Sequence, residues 1–228
     1  MKKLLLLIAV LLGIGLQAQD DKANQGIFVS GEGIVKVVPD QVVIKSQIEH
    51  EGVNAGTVKK ENDQTADAIL KYLRSKNIPE KNIQTDYVNL NKRYNYNDKT
   101  YTYVARQAIS ITLEDLDKYE EIVSGLLENG LNGINGIQFK SSELEKHKTE
   151  ARKKAVLAAK KKAEEFATPL NQEVGKAFSI TESSGNNYQP VYRMADMKMS
   201  EESGGSQETI SPGEMEISVQ VNVGFHLH

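Results

Sequence analysis

The side chains best suited to chemistry fall into four groups. Met194, Met197 and Met199 lie within one short stretch and make up three of the five methionines of the chain. Thioether sulfur is a soft ligand for Cu(I), and a flexible loop can close three sulfurs around one ion. The same sulfurs also oxidise reversibly to sulfoxide, and a polar loop tolerates methionine with no function at all. The sequence leaves these three readings open. Tyr94, Tyr96, Tyr101 and Tyr103 alternate along two neighbouring arms. As a cross-strand ladder they stabilise a hairpin; as a protruding surface they offer amphipathic contact area at low entropic cost.

His226 and His228 share one face of the C-terminal strand, where a two-histidine metal site competes with the better-supported reading of a fraying strand end. Lys153, Lys154, Lys160, Lys161 and Lys162 suggest a patch for anionic lipid or polyanion. Glu143, Glu145, Glu150, Glu164 and Glu165 share that segment, so a solvated helix face with i,i+4 pairing accounts for them better.

Catalytic chemistry finds little footing. Gly31-Glu32-Gly33 lacks a third glycine and runs into a strand, whereas a phosphate cradle needs the amides of a helix N-terminus. No HExxH, GxSxG or Walker sequence occurs. The four histidines are scattered, and no buried pair of carboxylates can be placed for general acid-base work. Cysteine is absent, which excludes thiol redox catalysis, thiolate metal sites and disulfides. No catalytic residue and no cofactor are expected.

The N-terminus carries a different signal. Lys2 and Lys3 precede an apolar run from Leu4 to Leu16 that is too short to span a bilayer comfortably, and Ala18 supplies a small residue for cleavage. The expectation is a signal peptide over 1–18, export to the periplasm or beyond, and a domain over 19–228 that does not span the membrane. Losing Lys2 and Lys3 from the 28 basic residues widens the excess of the 31 acidic ones, which argues against nucleic acid as a partner.

Periodicity supplies the elements that must position these groups. Ile27, Val29, Val35 and Val37 alternate, as do Val42, Ile44, Ser46 and Ile48, and Pro39-Asp40 between them predicts a hairpin turn. In that register Gly31 and Gly33 leave a shallow place where a helix backbone can come close. Val58, Asn62, Ala66, Ile69 and Leu73 predict a helix over 54–76, stopped near Asn77 by Pro79.

Val88 to Tyr96 and Tyr101 to Leu113 predict a second hairpin. With its turn at Asp98-Lys99, Tyr96 faces Tyr101 and Tyr94 faces Tyr103. Leu116 to Leu127 reads as a short helix and Ile134 to Phe139 as a strand. Ser142 and Glu145 then suggest a capping box for a long helix striped by Ala151, Ala155, Ala158, Ala159, Phe166 and Leu170. Phe178 to Thr181 and the strictly alternating Met215 to Leu227 are strands, separated by a long mobile loop over 184–213. The order ββαββαβαββ predicts an α+β fold of antiparallel sheets packed against helices, in which two βαββ units can be picked out.

Several segments, in order, resemble the SIMPL-domain (YggE-like) family. They are Val29-Ser-Gly-Glu-Gly-Ile-Val35 with Pro39-Asp40, Asn77 to Thr85, the tyrosine-rich stretch Tyr94 to Asp117, Glu150 to Glu165, and Pro212-Gly213-Glu214. In place of the Gly-Ile pair usual there, this chain has Asn77-Ile78 followed by Pro79, and Asn77 suits a left-handed helix cap. The resemblance implies an exported protein without established catalytic activity. It also implies kinship with members linked to oxidative and envelope stress tolerance, and with others that are antigens or assemble into hollow oligomers. A homo-oligomer is therefore expected, with any further envelope partner unspecified.

Overall fold

The computed structural model describes residues 26–97, 99–183 and 212–228. The expected leader and residues 184–211, with Met194, Met197 and Met199, lie outside the described residues. The strands are β1 (Gly26–Val37), β2 (Gln41–Gly52), β3 (Ile83–Thr85), β4 (Asn89–Asn95), β5 (Thr100–Leu113), β6 (Gly133–Lys140), β7 (Val174–Glu182) and β8 (Met215–Leu227). The helices are α1 (Ala55–Ser75), α2 (Tyr119–Glu128) and α3 (Leu144–Ala167). The fold is α+β, as expected, with the short β3 as an addition to the predicted order.

Described residues 26–33, 151–183 and 219–228 form one compact unit, and 34–150 with 212–218 form another. In the second unit, β2 lies between β5 and β6, antiparallel to both, and β5 carries β3 and β4 along its other edge. The inward residues Val42, Ile44 and Ile48 of β2 and Ile109 and Ile111 of β5 are fully buried against Ile69 and Leu73 of α1 and Ile122 and Leu126 of α2. Each such aliphatic side chain contributes roughly 1.5–3 kcal/mol by leaving water. Two polar groups enter this layer with partners. Ser46 donates its hydroxyl to the Ile109 carbonyl at 2.8 Å, and the buried Asn62 amide donates to the carbonyls of Ile48 and Ala105.

Helix α1 starts where Asn54 caps it, its side chain accepting from the Thr57 amide at 3.1 Å. It ends before Asn77, whose φ of 57° is the left-handed conformation expected there.

The first predicted hairpin does not form. β1 pairs with β8 in a three-stranded sheet of order β1-β8-β7, while β2 already spends both edges on β5 and β6. Alternation sets which residues face inward but carries no information on which strand lies alongside. The Asp40 amide instead donates to the Lys140 carbonyl, and the Asp40 carboxylate accepts from both the amide and the hydroxyl of Ser142. Of the two expected βαββ units, the one made of β6, α3, β7 and β8 is divided for the same reason: β6 joins β2, whereas β7 and β8 belong with β1.

In the first unit the alanines of α3 meet glycines of β1. Ala151, Ala155, Ala159, Ala163 and Ala167 are buried at a strict four-residue spacing. A Cβ at Gly31 would overlap the backbone of Ala155 and Ala159, and one at Gly33 the backbone of Ala151 and Ala155. The close approach of a helix backbone is thus present although the hairpin that suggested it is not. Phe166 and Leu170, expected in the stripe, are exposed, and Ala163 takes the place predicted for them.

Gly31→Ala and Gly33→Ala should each destabilise the protein by about 3 kcal/mol or more, because the obstacle is backbone that cannot rotate away. Gly136→Ala, with open space at its Cβ, should change stability by less than about 1 kcal/mol. Urea unfolding of the three variants checks this, and equal midpoints would refute it.

Asp40 supplies a pH dependence. Partial burial pushes its carboxyl up, but the Ser142 hydroxyl and amide outweigh that and hold it below its ordinary value. The folded pKa thus lies below the unfolded value of about 3.9, so the stabilisation is present above that pH and is lost as pH falls through the folded value. Asp40→Asn should lower stability at neutral pH and make the loss below about pH 4 shallower. Urea midpoints measured from pH 7 down to pH 2.5 test it, and an unchanged acid limb would refute it.

Candidate interaction surface

Alternating β-branched and aromatic residues favour a pleated arm, and Asn95 to Lys99 supply the turn. The Asn95 side chain accepts from the Asn97 amide at 3.0 Å, and Lys99 adopts a φ of 53°. The register differs from the expected one by two residues. Tyr94 lies opposite Tyr101, and Lys92 lies opposite Tyr103. A slip of two preserves parity, so all four tyrosines still share one face. Val88 precedes β4, and Ile109 pairs with Thr85 of β3 instead.

The rings form a cluster. Tyr94 and Tyr101 have centroids 4.8 Å apart, and Tyr96 stands edge-on to Tyr94 at 4.9 Å. The Lys92 ammonium lies 3.9 Å from the centre of the Tyr101 ring, an attraction to its negative face. Tyr96 is 84% exposed and Tyr101 53%, while Tyr103 is half-buried nearer the core. Leu90 and Lys92 extend the patch, and sequence reasoning missed Lys92. Its parity with Tyr94 was the available signal.

The opposite face of the same strands is charged and internally satisfied. Glu49 accepts from Arg106, Glu51 accepts from Arg93 at 3.1 Å and from Thr102 at 2.6 Å, and Arg93 also reaches Glu49 at 3.9 Å. The Arg106 hydrogen bond holds the Glu49 carboxyl below its ordinary value. Exposed pairs of this kind are individually weak, but as a network they tie the hairpin to β2. One face is therefore held by charge pairing and the other presents aromatic area.

The remaining sequence candidates among the described residues belong to the other unit. His226 is exposed against the Phe178 ring, and the His228 backbone exchanges hydrogen bonds with Glu173. Among the described residues no group of three His, Asp or Glu side chains is arranged to hold a metal ion. Lys160 pairs with Glu164 and Lys161 with Glu165, the solvated pairing expected of that helix face. No helix among the described residues is long and apolar enough to cross a membrane.

The family model described as "SIMPL: Protein of unknown function (DUF541)" matches residues 27–225. The chain is similar to the protein of Escherichia coli K12 named "Uncharacterized protein YggE", with 29% identity over 233 residues covering all of this chain and 94% of that protein. It is 24% identical to the protein of the same name from Edwardsiella ictaluri, covering all of this chain and 99% of that one. It is also 23% identical over 210 residues to the "26 kDa periplasmic immunogenic protein" of Brucella melitensis, covering 88% of this chain and 84% of that protein.

A double-mutant cycle on Tyr94→Leu and Tyr101→Leu should return a coupling of about 0.5–1.5 kcal/mol, the range for aromatic pairs at this separation. Urea unfolding of the four proteins provides the measurement, and a coupling of zero would show that the rings do not stack in solution.

Proposed function

The chain belongs to the SIMPL family, and from that premise we propose that it is an exported, periplasmic, non-enzymatic protein that self-associates through the tyrosine face of the β4–β5 hairpin. In this role it supports envelope or oxidative-stress tolerance without turning over a substrate. The observation that carries the self-association is the ring cluster itself. Tyr94, Tyr96 and Tyr101 are packed against one another, yet Tyr96 remains 84% exposed. A stacked cluster loses little side-chain freedom on contact, and large exposed aromatic area is characteristic of interfaces.

Periplasmic location is supported by the leader-like sequence over 1–18 and by the name of the Brucella melitensis relative. The stress role rests on the family resemblance. The non-enzymatic reading is supported by the family description, which names no reaction, and by the sequence, which offers no constellation of nucleophile, base and orienting group.

Light scattering should show an assembly for the purified protein. Tyr96→Ser should reduce its mass, and Tyr96→Ser combined with Tyr101→Ser should reduce it further, with a smaller effect on the urea midpoint than on assembly. A monomeric parent protein at working concentration, or a double variant that keeps its assembly while losing its fold, would refute the reading. Intact-mass measurement of the exported protein should place its first residue at Gln19.

A further inference from the structure

We infer that the outward face of the five-stranded sheet carries a binding cleft for a small zwitterion of free amino-acid size, held between Lys45 and Asp86. Strands β3, β5, β2 and β6 set Gln84, Ser110, Lys45 and Gly136 in one transverse row. By alternation this row points away from the side that buries Ile44 and Ile109 against α1 and α2. The row beside it begins at Asp86, whose amide donates to the Ala108 carbonyl. A cavity of about 280 Å³ opens here, with Ala108 and Ser110 as a floor of small side chains.

Two interruptions of regular pairing build its walls. On one side β3 ends at Thr85 and β4 starts only at Asn89, so Asp86 sits in the gap between two strands on the same edge of β5. On the other side the β2–β6 register shifts between Lys45 and Ser46, leaving Asn135 as an extra residue. A bulge re-aims the side chain it carries. Asn135 donates to the Gln47 side chain at 3.3 Å, which holds it at the rim of the cleft.

The charges distinguish this cleft from the rest of the face. Further along the same face Glu49, Glu51, Arg93 and Arg106 pair with one another. The Lys45 ammonium and the Asp86 carboxylate have no hydrogen-bond or ion-pair partner among the described residues, although both line the same cavity. The two opposite charges bracket a polar floor, and that pattern complements a ligand bearing a carboxylate at one end and an ammonium at the other. The lining has no aromatic side chain to attract a purely apolar ligand. The cavity has room for an amino acid.

The test is titration calorimetry of the full-length purified protein with L-serine and L-glutamine, each also in N-acetylated and C-amidated form. At least one of the free amino acids should bind saturably, in the millimolar range or tighter. Each blocked form, having lost one charge, should bind at least about tenfold more weakly. Lys45→Gln and Asp86→Asn should each weaken binding of the free form by a similar factor while leaving far-UV circular dichroism unchanged, since both side chains are exposed. The cleft lies apart from the tyrosine face, so Tyr96→Ser should leave the binding intact and the result is independent of self-association. Absence of saturable binding to both amino acids, equal binding of free and blocked forms, or full affinity in both variants would overturn the inference. The blocked-ligand comparison uses the unmodified protein, so it decides even if a variant folds poorly.

Discussion

The pairing of β2 on both edges is the constraint from which most of the described architecture follows. With β5 on one side and β6 on the other, β2 is paired along both edges from Val42 to Gln47, and its inward residues Val42, Ile44 and Ile48 are buried under α1 and α2. β1 must therefore find another partner, and it does so in β8. Through β5, the same pairing sets the position of the tyrosine hairpin, because β4 joins the sheet by pairing with β5. A buried strand with two occupied edges is costly to displace, since a register slip of one residue would turn its apolar side chains to water.

The first unit solves a similar packing problem with small residues. Alanines at a four-residue spacing on α3 allow its backbone to meet β1 where Gly31 and Gly33 present no side chain. Such contacts remove little apolar area per residue but gain many close van der Waals contacts, and they tolerate no added methyl group. Phe28 and Phe178 stand edge-on at 5.3 Å, with Gly224 close enough that a Cβ there would meet both rings. Glycine in these strands therefore marks places where another group comes close.

The five-stranded sheet distributes its polar groups unevenly. Near the hairpin, acids and arginines satisfy one another, which stiffens the arm that presents the tyrosines. Around Asp86 and Asn135, where strand pairing is interrupted, charged and amide groups line a depression instead. Both features arise from the same alternation, because residues of one parity face the core and residues of the other face solvent along every strand. Aromatic area at the tip and polar recognition on the face are thus spatially separate properties of one sheet.

Local periodicity and end signals determined the kinds of element and which side chains point inward. The stop near Asn77 marked the end of α1, and β8 was legible residue by residue from its strict alternation. The common face of the four tyrosines was legible too, because parity survives a register slip of two, although the partner of Tyr94 did not. The partner of β1, the break between β3 and β4, the bulge at Asn135 and the exposure of Phe166 and Leu170 were decided only by the tertiary structure. The physical reason is one of range. Alternation and capping depend on residues a few positions apart, whereas strand partners and cleft walls depend on which edges remain free once distant segments have packed.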